Sequence, residues 1–279
     1  MSNPGRPLPH PKAGLPLSAA ERQKLRRRSF DSIAGVYDRV RPRYPEQLFD
    51  DIVRLSGIGS GARVLEIGPG TGQATLPLAR RGFVVVGVEL APRMARLCRA
   101  NLRGFPSVTV HTADFEHWPV EPASFDLVLS ASAFHWLNPR AAFARAASAL
   151  RPSGSIALLW HFRVTPSTPL QRDLDAVYAA LGLKPWRARP PEERTRRQRE
   201  AILNSGRFGP VTVRRYASDC DYTTADYIAL LRTMSDHAIF PAPTRRRLFA
   251  GIRRAIDSHG GLLRRESIAT LFTAPLRRG

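Results

Sequence analysis

The chain has 279 residues, an apolar share of 43% and a formal charge of +20, long enough to bury a sizeable single core and near the size at which domains begin to split. No apolar run approaches the roughly 18 to 20 residues of a bilayer span, and two cysteines, Cys98 and Cys220, supply neither a disulfide framework nor a metal-ligand cluster. All but three of the 43 basic residues are arginine, spread along the whole chain, and that diffuse distribution disfavours a nucleic-acid partner.

Met1 to Leu17 carries five prolines and no apolar core. It is not a secretory signal; residues 1–17 read as a disordered leader, and cytoplasmic residence is the expectation. Residues 18–57 hold two helical segments ahead of the fold proper. Ser18 with Glu21 three residues later makes a capping box, and Pro45 suits the first turn of the second helix. Residues 58–162 alternate strand and helix, with apolar runs at Val64–Ile67, Phe83–Glu89, Ser107–His111, Ser124–Ser130 and Ile156–Trp160. That alternation predicts an α/β core of parallel strands joined by crossover helices. Residues 163–279 change character: a helix near Leu170–Leu183, an arginine-rich run at Arg187–Arg199, a strand near Val211–Tyr216, helices at Thr224–Ser235 and Thr244–Ser258, and a last strand at Ser267–Phe272. The arginine-rich run contains Glu192 and Glu193 and no aromatic residue that would stack on a base. It reads as a solvated face.

The most informative stretch is Val64 to Gln73, where a short apolar strand meets Glu66, then Gly68, Gly70 and Gly72, then a helical segment. Glycine lets the backbone turn sharply and lets a ligand press against it. The first amides of the following helix lack intrahelical partners and make that end electropositive. A dinucleotide fingerprint would place its third glycine at position 73, which is Gln73. A carboxylate beside the turn suits a cationic ligand better than a pyrophosphate. Glu89 ends the second strand 17 residues past Gly72, where a Rossmann-like fold places a carboxylate for ribose hydroxyls.

Together these residues resemble the motifs of the class I S-adenosylmethionine (SAM) methyltransferases. Asp114 and Phe115 after the third strand and Ser130 at the end of the fourth follow in the same order. The resemblance implies a Rossmann-like, seven-stranded, mostly parallel sheet with helices on both faces. Its last strand would be antiparallel, inserted between the fifth and sixth. It also implies SAM as cofactor, with Gly68, Gly70 and Gly72 under the methionine part and Glu66 facing its cationic end. Glu89 would take the ribose, Asp114 and Phe115 the adenine, and Ser130 would lie beside the methionine part. Tyr37-Asp38-Arg39-Val40-Arg41-Pro42-Arg43-Tyr44-Pro45, Phe134-His135-Trp136-Leu137 and Leu231-Arg232-Thr233-Met234-Ser235 are similar to stretches of the trans-aconitate and ubiquinone-biosynthesis methyltransferase subgroup, which acts on small molecules.

Tyr37, Arg41, Tyr44 and Trp136 are therefore candidate substrate-side or lid residues, although the first three would serve equally to brace the first helix. His135 is the candidate general base, because it follows a strand end on the ligand side of an open α/β sheet and the imidazole side chain as a class can take a proton from a hydroxyl or acid. The competing reading makes His135 and Trp136 a structural corner. The expected activity is methyl transfer to a small-molecule oxygen, nitrogen or carbon nucleophile. The alternatives are an RNA or protein methyltransferase using the basic surface, and a non-catalytic SAM-binding relative. No metal is expected.

Overall fold

A computed structural model describes residues 33–184, 189–234, 237 and 240–277. The expected leader at 1–17, the Ser18 capping box, Arg187 and Ser235 lie outside the described residues. The first described element is helix α1 (33–40), followed by α2 (Glu46–Ser56), β1 (Arg63–Ile67), α3 (Thr75–Arg80), β2 (Val84–Glu89), α4 (Pro92–Asn101), β3 (Val108–Thr112) and β4 (Phe125–Ala131). A short 3-10 turn (Phe134–Trp136) leads into α5 (Pro139–Ala149) and the long β5 (Leu150–Arg163). Then come α6 (Pro169–Ala179), α7 (Pro191–Asn204), β6 (Thr212–Ala217), β7 (Cys220–Thr223), α8 (Thr224–Arg232), α9 (Ala242–Ser258), β8 (Leu262–Arg265) and β9 (Ser267–Pro275).

Seven strands form one sheet in the order β3-β2-β1-β4-β5-β9-β6. The first five are parallel, and β9 runs antiparallel to both β5 and β6. This is the expected sheet, with its last strand inserted between the fifth and sixth. Central strands are apolar on both faces because helices cover both: β5 is almost wholly buried from Ser155 to Trp160. One core lies under α5 and α7 and centres on Phe125, Phe162 and Phe272. The other lies under α2 and α3 and centres on Leu48, Phe49 and Leu78.

Local chemistry sets the element ends. Asn138, Thr168 and Thr223 each accept a bond from a first-turn amide of the helix they open, the favoured role of such side chains. Pro139 and Pro169 occupy first-turn positions where a missing N–H costs nothing.

The β7–β8 ladder was not expected from sequence. Its strands, CDYT and LLRR, pair antiparallel and apart from the main sheet. With α1, α6, α8 and α9 they enclose a third apolar cluster that includes Val40, Tyr222, Leu231, Leu248 and Leu263. Residues on both sides of the core segment thus build one layer together. Among the described residues no helix is long and apolar enough to cross a membrane.

Candidate functional site

The glycine turn leaves β1 at Ile67 and is clamped at both ends by backbone bonds, Gly68 N–H to the Val88 carbonyl and Leu76 N–H to that of Gly72. All three glycines have positive φ, +69°, +61° and +94° in chain order, the region that side chains disfavour. Their surroundings differ. A Cβ at Gly68 would sit 2.5 Å from the Ala133 methyl, and one at Gly72 would crowd Leu102 and Cys98 at 3.1 and 3.2 Å. At Gly70 the nearest atom would be a ring carbon of Tyr37 at 4.0 Å. Gly68 and Gly72 are thus explained by packing, and Gly70 alone leaves its inner side open.

Glu89 holds the turn in place. One carboxylate oxygen accepts the Gly70 amide at 2.9 Å, and the other accepts the Ala91 amide at the start of α4 at 2.8 Å. Asn101 donates to the Thr71 carbonyl at 2.9 Å and to Asp38 at 3.2 Å, tying α4 and α1 to the same loop.

Glu66 is fully buried, and neither carboxyl oxygen has a hydrogen-bond partner. Burial pushes its pKa up to about 7, and the charge of Glu89 adds to the rise. Thr75, whose own hydroxyl has no bond of regular geometry, tempers it. The Thr71 hydroxyl is a fourth buried, unsatisfied oxygen at this turn, after the two of Glu66 and that of Thr75. Orphaned acceptors are rare in folded proteins. A buried carboxyl with nothing to hold, beside a glycine with an open inner side, fits a ligand that is cationic at this end.

The adenine-side candidates sit on one short segment. Asp114 accepts the Glu116 amide at 3.0 Å and contacts the His117 Nδ1 at 2.7 Å. Phe115 is buried in the core cluster with the Arg145 guanidinium 5.6 Å over its ring. Ser130 is fully buried and donates to the Ile67 carbonyl at 2.8 Å, so its side chain bonds β4 to β1.

His135 is exposed on the 3-10 turn, with the Trp136 ring 4.8 Å away. The Trp160 indole N–H donates to its Nδ1 at 3.2 Å. An indole nitrogen only donates, so Nδ1 is the acceptor and the neutral ring carries its proton on Nε2. In that state Nε2 is a donor.

Of the four candidate substrate-side or lid residues, Arg41 and Tyr44 are bonded to other parts of the fold. Arg41 forks onto Thr233, Nε to the hydroxyl at 3.0 Å and Nη2 to the carbonyl at 2.9 Å, across 192 positions of sequence. Tyr44 is buried, bonds the Ser132 hydroxyl at 2.9 Å and stacks on His161 at 4.3 Å. Tyr37 lies under the Arg41 guanidinium at 4.7 Å and beside Gly70. Sequence reasoning missed Trp160, His161, Arg163 and Arg265, which meet at the same end of the sheet. The aromatic and basic ending of β5 signalled the first three, and nothing local signalled Arg265 on β8.

Residues 65–158 match the family described as "Methyltransferase domain". An uncharacterized methyltransferase of Mycobacterium tuberculosis is 38% identical over 135 residues, 48% of this chain and 53% of that protein. The malonyl-[acyl-carrier protein] O-methyltransferase of Geobacter sulfurreducens is 39% identical over 131 residues, 46% of this chain and 47% of its own. These matches span about half the length of the relatives. Among solved structures, a SAM-dependent methyltransferase from Geobacter sulfurreducens in complex with S-adenosylhomocysteine superposes with a TM-score of 0.53 at 15% identity, covering 90% of this chain and 98% of that one. A phosphoethanolamine N-methyltransferase of Haemonchus contortus gives 0.54 at 18% identity, covering 94% and 61%. Residues 65–158 are thus similar in sequence to the methyltransferase domain, and the fold of the described residues is similar to that of the solved SAM-dependent methyltransferase.

Proposed function

We propose that the protein binds SAM at the glycine turn and transfers its methyl group to a small-molecule acceptor held over the carboxyl ends of β4 and β5. The observation that carries this is the open inner side of Gly70 beside the buried, partnerless carboxyl of Glu66. When bound, SAM supplies an activated methyl on a sulfonium, so the protein needs little covalent chemistry of its own. Its task is alignment, and positioning alone is worth roughly 7–11 kcal/mol of barrier.

In this reading Glu89, Asp114 and Phe115 frame the adenosine, and the backbone at Gly70 and Ser130 borders the methionine part. The layer built by α1, α6, α8, α9 and the β7–β8 ladder caps the acceptor side and excludes water. His135 is a positioning residue: Trp160 fixes its tautomer, so that Nε2 donates toward an acceptor oxygen. The tie between Arg41 and Thr233 joins two of the stretches similar to the trans-aconitate and ubiquinone-biosynthesis subgroup, which supports a small-molecule acceptor. The described part of the arginine-rich run pairs with its own acids, Arg189 and Arg197 with Glu193 and Arg196 with Glu200. That pairing supports a solvated face over a nucleic-acid footprint.

Calorimetric titration with S-adenosylhomocysteine tests the reading, alongside Glu89→Ala and a melting curve of each protein. One-to-one binding to the wild type, lost in a variant that still melts cooperatively, is the expected result. No binding to the wild type sinks it.

A further inference from the structure

The main sheet ends on β6, which pairs with β9 and has no strand on its other side among the described residues. Ser218 N–H donates to the carbonyl of Ser267, the residue opposite it. Bonded and non-bonded pairs alternate along an antiparallel ladder, so Thr212, Arg214 and Tyr216 turn their backbone groups toward β9. Val213, Arg215 and Ala217 turn theirs outward. The Arg214 guanidinium meets the outward Val213 carbonyl at 3.4 Å, longer than a regular bond.

This edge opens into a groove of about 710 Å³ between β6 and α7. Glu192, Arg196, Arg199 and Leu203 line it from α7, and their i, i+4, i+7, i+11 spacing places them on one helical stripe. The stripe runs for about 16 Å at the helical rise. An extended chain covers that length with about five residues, and β6 itself has six. Val213, Arg214 and Arg215 line the groove from the strand. Successive strand residues point to opposite faces, so a groove that reaches both Arg214 and Arg215 wraps the strand edge itself.

The groove is positive. Four arginines face two glutamates. Arg196 holds Glu200 at 3.9 Å and Arg215 holds Glu192 at 4.0 Å, both on exposed side chains, where such pairs contribute little. Arg199 and Arg214 pair with no carboxylate among the described residues. Asp51, the acid whose titration Arg214 influences, is bonded to Tyr216 and Arg54. Leu203 adds an apolar side chain that is 40% exposed.

These features discriminate between occupants. A second copy of β6 would set Arg214 and Arg215 against the same residues of its twin, and like charges opposite each other destabilise a ladder. A nucleic acid would meet the guanidinium groups but leave the outward N–H and C=O groups and Leu203 unmatched. An acidic strand meets the backbone edge, the apolar side chain and the charge together. We propose that the β6 edge and the α7 stripe form a docking site for an extended acidic segment of a partner protein. About five of its residues add to the sheet as a further strand, and its carboxylates engage Arg199 and Arg214. The site is separate from the glycine turn: β1 and β6 stand four strands apart in the sheet, about 19 Å. Arginine on an edge strand also serves as a guard against self-pairing. A guard needs no groove and no matching stripe on a neighbouring helix, and the two roles separate by experiment.

The test uses the full-length protein and a fluorescent octapeptide of alternating glutamate and valine, blocked at both ends and followed by anisotropy. A second peptide has every other backbone amide methylated, which keeps the charge and removes the edge bonds. A third replaces glutamate with lysine. The expected result is saturable binding of the glutamate peptide to the wild type, with a Kd below about 1 mM at low salt that weakens as salt is added. The methylated peptide should bind at least about tenfold more weakly, and the lysine peptide should not bind. The double variant Arg199→Ala, Arg214→Ala should lose at least about tenfold in affinity for the glutamate peptide. Its melting temperature should stay within about 2 °C of the wild type, because both substitutions are on the surface. The methylated peptide reads the edge on the unaltered protein, whatever the substitutions do to stability.

The proposal is overturned if the glutamate peptide shows no saturable binding, if the methylated peptide binds equally well, or if the double variant keeps the wild-type affinity. Displacement of the peptide by oligouridylate at a lower concentration than by unlabelled peptide overturns it in favour of a nucleic acid. A wild type that binds no peptide, with a double variant that self-associates in analytical ultracentrifugation, assigns the arginines to edge protection instead.

Discussion

The Trp160 indole N–H and the His135 Nδ1, 3.2 Å apart, fix the protonation of an exposed histidine from a buried tryptophan. Two strand ends thus set the chemistry of one side chain. Nitrogen-15 NMR of the wild type should show the neutral His135 proton on Nε2, and Trp160→Phe should release that preference. In turnover, His135→Gln, which keeps a donor, should retain more activity than His135→Ala. Equal activity in the two variants would remove the donor role.

Glu66 gives a pH dependence of defined sign. Its folded pKa of about 7 lies above the ordinary value of 4.5. The folded state therefore binds the proton more tightly, and the stability from this group is present below pH 4.5 and lost as pH rises through 7. Glu66→Gln should leave stability at pH 4 nearly unchanged and raise it at pH 8.5 by up to ~3 kcal/mol, read by urea denaturation. In the wild type at pH 6, binding of SAM should release a proton, visible as a buffer-dependent heat in calorimetry.

His161 has the opposite shift. Its folded pKa of about 3 lies below the ordinary 6.5. Its contribution is intact above pH 6.5 and is lost as pH falls toward 3. His161→Gln should flatten the fall in stability across that interval. An unchanged acid limb would show that His161 becomes charged without cost.

The three glycines should separate by experiment. Gly68→Ala and Gly72→Ala meet atoms at 2.5 Å and 3.1 Å besides their positive φ, so each should lose more stability than the ~1–2 kcal/mol that a left-handed conformation alone costs. Gly70→Ala meets nothing nearer than 4.0 Å. It should lose only that conformational cost and yet weaken S-adenosylhomocysteine binding most. Denaturation curves and titrations on the same three proteins read both effects.

Thr233→Val removes the acceptor for the Arg41 Nε in a nearly closed site, Thr233 being 2% exposed. The expected loss is ~1–3 kcal/mol, the usual cost of leaving a buried donor unsatisfied. A neutral substitution would mean that Arg41 finds another partner.

The five parallel strands were legible because each is a short apolar run bounded by turn residues. The glycine turn was legible because only glycine holds φ near +60° to +95° at three alternate positions. The resemblance of the end segments was visible as motifs. That Arg41 touches Thr233 was not, since nothing local records a contact across 192 residues. The β7–β8 ladder escaped notice because CDYT and LLRR lack a strong apolar alternation and pair only once α8 and α9 bring them together. The partner of His135 was not legible either, because Trp160 belongs to another strand.

The sequence by itself determined the order of strands and helices, the turn beside Glu66 and the acid at Glu89, because strand periodicity and glycine conformation are local properties. Only the tertiary structure decided which glycine is open, that His135 Nδ1 meets the Trp160 indole, and that Arg41 reaches Thr233. Those outcomes depend on burial and on distances between residues far apart in the chain, and only the packing of the sheet against its cap fixes them.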